Sequence, residues 1–82
     1  MDDQMKELIA IGASAAVNCH PCLRHHLAEC DRLGIDRAEV KAAVDVGMMV
    51  NRGAAAKTRD VAQSLLGPDV GQKGEGRGCC GG

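Results

Sequence analysis

Residues 18–34, Asn-Cys-His-Pro-Cys-Leu-Arg-His-His-Leu-Ala-Glu-Cys-Asp-Arg-Leu-Gly, decide how the whole chain is read. Asn18 is a good helix N-cap, and Pro21 falls in a first turn, where a missing N–H does no harm. Leu23, Leu27 and Cys30 recur at helical spacing, and Gly34 suits the left-handed residue that ends a helix. One helix is predicted over this stretch. Upstream, Asp2 and Asp3 offer caps and suit the positive helix end, while Met5, Leu8, Ile9 and Ala16 repeat at helical spacing, so a first helix should end near Val17. Downstream, Asp36 followed by Glu39 has the form of a capping box. Val40, Val44, Met48, Val61, Ala62 and Leu65 then hold helix-compatible positions across residues 37–66. Asn51, Arg52 and Gly53 interrupt that segment, and either one kinked helix or two helices would fit. Gly67-Pro68 closes the helical part. There is no alternating strand pattern and no internal repeat, so the class is all-α: a small helical bundle over residues 1–67, followed by a flexible glycine-rich tail, 68–82.

Composition narrows the function. The 82 residues carry 10 Lys plus Arg against 11 Asp plus Glu, a balance unlike the clustered positive charge of nucleic-acid binders. There is no Phe, Trp or Tyr, so the core must be aliphatic, and so small a chain needs help from disulfides, a metal or a partner subunit. The apolar run 8–17 has an acidic flank, Met-Asp-Asp-Gln-Met-Lys-Glu, where a signal peptide needs positive charge, and it is too short to span a bilayer. The expected location is cytoplasmic, away from membranes. Five cysteines in that compartment argue for redox chemistry or metal binding before a disulfide scaffold.

The chemistry-bearing residues cluster in the second helix. Cys19 and Cys22 are three apart, and Cys22 and His26 are four apart, so the three lie along one face near the helix's positive end. Amides at a helix N-terminus and a nearby imidazole both favour thiolate, the reactive form of cysteine. A tight connection makes the first two helices antiparallel, which brings Glu7 within reach of His26 directly or through a water. Carboxylate, imidazole and thiol in series form a proton relay.

Glu7, an eleven-residue gap, Cys19-His20-Pro21-Cys22, three residues and His26 resemble the E-x11-C-x2-C-x3-H pattern of the alkylhydroperoxidase D-like branch of the carboxymuconolactone decarboxylase family. The continuation, Ala-Glu-Cys-Asp-Arg-Leu-Gly-Ile-Asp-Arg-Ala-Glu-Val-Lys-Ala-Ala-Val, is also similar, and the resemblance covers residues 5–66. It implies all-helical subunits that assemble into trimers or hexamers. It also implies an enzyme, a thiol peroxidase cycling between dithiol and disulfide, with a hydroperoxide substrate, a thiol or disulfide electron donor and no cofactor. By matched position Cys22 attacks the peroxide, Cys19 closes the disulfide, and Glu7 and His26 relay the proton. The place before the second cysteine, often His in the family, is Pro21 here; either the relay lacks a member or His20 substitutes from a different angle. The decarboxylase branch lacks the cysteine pair, which makes lactone decarboxylation the weaker expectation.

A non-enzymatic metal or metalloid binder is the alternative. Its ligands would be Cys19, His20, Cys22 and His26, with Cys30 an alternative to His20 and the vicinal Cys79-Cys80 pair as further thiols. His25 points about 100° away from His26 and reads as a surface residue, and Cys30 reads as a small packing group. On their glycine leash, Cys79 and Cys80 are accessory thiols able to exchange with the Cys19/Cys22 disulfide.

Overall fold

The computed structural model describes residues 1–71 and contains three helices: α1, Asp3–Ala16; α2, His20–Arg32; and α3, Arg37–Leu66. Among the described residues there is no strand, and no helix is long and apolar enough to cross a membrane. The all-α class holds.

Each helix end has a local cause. Asp2 caps α1, its Oδ1 accepting the Met5 N–H at 2.7 Å. The helix ends in a Schellman motif: Asn18 takes a φ of +59°, its N–H bonds the Ala15 carbonyl, and the next N–H, that of Cys19, bonds the Ser14 carbonyl. This corrects the expected role of Asn18. A residue in the left-handed region cannot hold the extended backbone of an N-cap, so Asn18 terminates α1 and Cys19 caps α2. A second Schellman motif closes α2. Gly34, at φ +74°, donates to the Asp31 carbonyl and Ile35 to the Cys30 carbonyl, which turns Ile35 into the interior. Asp36 then opens α3, its Oδ1 accepting the Ala38 N–H. The exposed Arg37 guanidinium grips both carboxylate oxygens of Asp31 across the same turn, at 3.0 and 3.1 Å.

The chain forms two compact units, Met1–Arg52 and a second beginning at Gly53. In the first, Ile11, Cys30, Ile35 and Val40 make the buried core, and Leu8, Leu23, Leu27, Leu33, Ala43 and Val44 pack around it. Gly12 and Gly47 let α1 and α3 touch backbone to backbone. A Cβ on Gly47 would overlap the Gly12 carbonyl oxygen, and one on Gly12 would stand 2.9 Å from the Ala43 carbonyl oxygen. Asn51, which the sequence offered as a helix interruption, donates its Nδ2 to the Ala16 carbonyl at 3.0 Å and satisfies an open end of α1. The helix runs unbroken through it, so α3 is one helix. Met5 and Ile9, in phase with the core residues by sequence, are exposed instead and border an apolar groove.

In the second unit α3 ends at Gly67, whose φ is +121°, and a turn brings the Val70 carbonyl to Gln63 Nε2 at 2.8 Å. Val61, Leu65 and Leu66 are exposed. The rest of the expected tail lies outside the described residues.

Glycine substitutions separate the close approach from ordinary helix propensity. Gly47→Ala forces a backbone shift and should cost about 1–3 kcal/mol. Gly53→Ala adds a Cβ that meets nothing within 4 Å and should stabilise by about 0.4–1 kcal/mol. Urea unfolding of the two variants checks both signs.

Candidate redox site

Cys19 belongs to two helices at once. Its N–H ends α1 on the Ser14 carbonyl at 3.0 Å, and its own carbonyl accepts the Leu23 N–H at 2.9 Å, the first intrahelical bond of α2. Its side chain accepts the Cys22 N–H at 3.3 Å. Pro21, at the second position of the helix, has no N–H to offer. Cys19 and Cys22 are joined in a disulfide, S–S 2.01 Å, and both are half-buried.

One turn beyond Cys22, on the same face of α2, His26 meets Glu7 of α1: Nδ1 lies 2.6 Å from Oε1. Contact is direct. Both side chains are largely covered, 25% exposed for His26 and 13% for Glu7. In the tautomer that carries its hydrogen on Nδ1, Glu7 accepts that hydrogen and Nε2 is left as the basic nitrogen of the ring. Glu7 is held from behind as well. Cys30, fully buried, places its Sγ 4.0 Å from the Glu7 carbonyl oxygen. Burial, and after it the Glu7 carboxylate, pushes the Cys30 thiol above its ordinary range.

The structure therefore shows two pairs, the Cys19–Cys22 disulfide at the start of α2 and the Glu7–His26 contact one turn further along that helix. His20 is exposed at the first turn of α2 with no bond to either pair, and His25 is exposed with its ring edge-on to His26 at a centroid distance of 4.9 Å. Among the described residues no three His, Cys, Asp or Glu side chains are grouped to hold a metal ion, and the Cys19 and Cys22 sulfurs are committed to each other. Cys79 and Cys80 lie outside the described residues. Cys30, read from the sequence as a small packing group, is fully buried in the core, and Ser14 is the supporting group that sequence reasoning missed. Ser14 is buried and returns its hydroxyl to the Ala10 carbonyl at 2.8 Å while its own carbonyl holds Cys19. A serine inside an apolar run was the only signal of it.

The model of the carboxymuconolactone decarboxylase family matches residues 1–63. No curated protein and no solved structure matches the chain.

The buried thiol has a measurable consequence. In the reduced, folded protein at neutral pH, Cys30 should be alkylated by iodoacetamide at least about tenfold more slowly than in urea, since reaction needs both access and thiolate. Peptide-resolved mass spectrometry reads that ratio, and equal rates in the two conditions would show an open site.

Proposed function

Because the chain belongs to the carboxymuconolactone decarboxylase family, we propose that it works in the manner of the alkylhydroperoxidase D-like branch, as a cytoplasmic thiol peroxidase reducing hydroperoxides through Cys19 and Cys22. The observation that carries this reading is the Glu7–His26 pair, 2.6 Å apart, set one helical turn from Cys22 of a redox disulfide. In the reduced protein the Cys22 sulfur attacks the terminal peroxide oxygen and the O–O bond breaks. Cys22 becomes a sulfenic acid, and the alkoxide takes a proton through His26 and leaves as the alcohol. Cys19 then attacks the Cys22 sulfur, the S–S bond forms, and the hydroxyl group leaves as water once protonated. A dithiol donor returns two electrons to the disulfide. Glu7 keeps Nδ1 of His26 protonated and the ring in place, so that Nε2 does the proton transfer, a contribution of about 10²–10⁴ in rate for general acid–base groups.

Assembly belongs to the same reading. A groove of about 570 Å3 between α1 and the first part of α3 is lined by Met5, Leu8, Ile9, Val46, Val50 and small residues, without one charged side chain. Met5, Ile9, Val46 and Val50 are each more than half exposed. A surface with no charged group to recognise suits the apolar face of a second copy of this chain, which would complete a core that, among the described residues, has only four buried hydrophobic side chains.

Two experiments test these proposals. With dithiothreitol as donor, Glu7→Gln should slow hydroperoxide consumption at least about tenfold while the helical signal is unchanged, and Cys22→Ser should abolish it. Retained turnover in Cys22→Ser sinks the peroxidase assignment, as would thiols that stay masked until a chelator is added. Val46→Glu sets a charge in the groove; sedimentation should show oligomers for the unmodified chain and monomers for the variant, and a monomeric unmodified chain removes the assembly proposal.

A further inference from the structure

The two sulfurs of the disulfide have unequal surroundings. Cys19 Sγ sits at the N-cap of α2 and accepts the Cys22 N–H at 3.3 Å; among the described residues no hydrogen bond reaches Cys22 Sγ. That amide is fixed in the helix, and Pro21 leaves it as the single cap-directed donor, since an N-cap side chain bonds the N–H of the second or third helical residue and the second here has none. The Cys19 backbone is equally fixed, by its N–H on Ser14 and its carbonyl on Leu23, so opening the disulfide leaves its sulfur under the same amide. A donor N–H and the positive end of a helix stabilise a thiolate there.

Resting on the dithiol–disulfide reading above, we propose that Cys19 is the sulfur that carries the negative charge when the disulfide opens, and that the electron donor, a thiol, therefore attacks Cys22. In that step the donor thiolate forms a bond to Cys22 Sγ, the Cys19–Cys22 bond breaks, and its electron pair leaves with Cys19 as a thiolate under the Cys22 N–H. A second donor thiolate then attacks the donor sulfur of the mixed disulfide and releases Cys22, so the donor ends as a disulfide and two electrons have passed to the protein. The better-stabilised thiolate is the better leaving group, which sets the direction of attack. The same thiolate, in the oxidative half of the cycle, is ready to attack a sulfenic acid on Cys22. The two sulfurs divide the work: Cys22 is deprotonated through His26 for the peroxide, and Cys19 is held charged by the backbone.

Two measurements on the full chain test this. In the first, alkylation of Cys19 in reduced Cys22→Ser and of Cys22 in reduced Cys19→Ser is followed peptide by peptide from about pH 5 to about pH 9.5, each rate divided by its own alkaline plateau. Serine keeps the helix capped in the second variant. At about pH 6 the normalised rate of Cys19 should exceed that of Cys22 about tenfold; equal rates, or a faster Cys22, overturn the proposal. In the second, the oxidised unmodified protein is mixed with limiting glutathione and quenched at successive short times with excess N-ethylmaleimide. The glutathione adduct should map to Cys22, with maleimide on Cys19, at least about fivefold over the reverse pattern, and an adduct on Cys19 overturns it. Neither measurement consumes a hydroperoxide. A protein that passes both yet reduces no peroxide removes the peroxidase reading alone, and an active peroxidase that fails both removes this inference alone.

Discussion

Everything at the redox site hangs on the backbone of one residue. Cys19 gives its N–H to Ser14 and receives the N–H of Leu23, and the left-handed Asn18 before it reverses the chain within three residues, 17–19. A looser connection would leave α2 free to slide along α1, and a slide of one turn, about 5.4 Å, would separate His26 from Glu7. The carboxylate–imidazole contact of 2.6 Å is thus a consequence of how α1 ends. Asparagine is among the few side chains that tolerate φ near +60° at that position, so the residue before the cysteine motif matters as much for geometry as the motif does for chemistry.

The far end of the helix pair is secured by different means. Gln4 reaches the Leu33 carbonyl at 3.3 Å, Ile35 is turned inward by the Schellman motif on Cys30, and the Cys30 thiol fills the space behind Glu7. With a core this thin and no aromatic ring to enlarge it, the first unit relies on close backbone approach, and Gly12 and Gly47 supply it. Small residues where helices cross give up side-chain burial in exchange for short interaxial distance and dispersion contact along the backbone.

The helical segments, both glycine stops and the Asp2 cap were legible in the sequence because each depends on local chemistry: side-chain oxygens near free amides, and glycine where φ must be positive; whether residues 37–66 form one helix or two was not. The pairing of Glu7 with His26 was legible too, since the gap between them and a tight reversal leave little choice. What could not be read was set by helix crossing. Met5 and Ile9 share the helical period of Leu8 but fall on the groove side of α1, and periodicity does not say which edge of an apolar stripe a neighbour covers. Asn51 looked like an interruption because its partner, the Ala16 carbonyl, is 35 residues away. Asn18 was read as the cap of α2 because its side chain can cap; only the backbone angles distinguish the residue that ends one helix from the residue that starts the next.

Three sulfurs on and just before a single helix illustrate how far backbone position alone differentiates one side chain. Cys19 stands at the cap, where one amide points at it; Cys22 lies one turn in, half-buried; Cys30 closes the helix inside the core, where its charged form is disfavoured. The chemistry of the thiol is the same in each case. Its surroundings change from an amide donor at the cap to desolvation at the end, over about 16 Å of helix. One short helix thus sets a buried thiol and a disulfide in different surroundings, and it is held at both ends by the two Schellman motifs and the Arg37–Asp31 clasp.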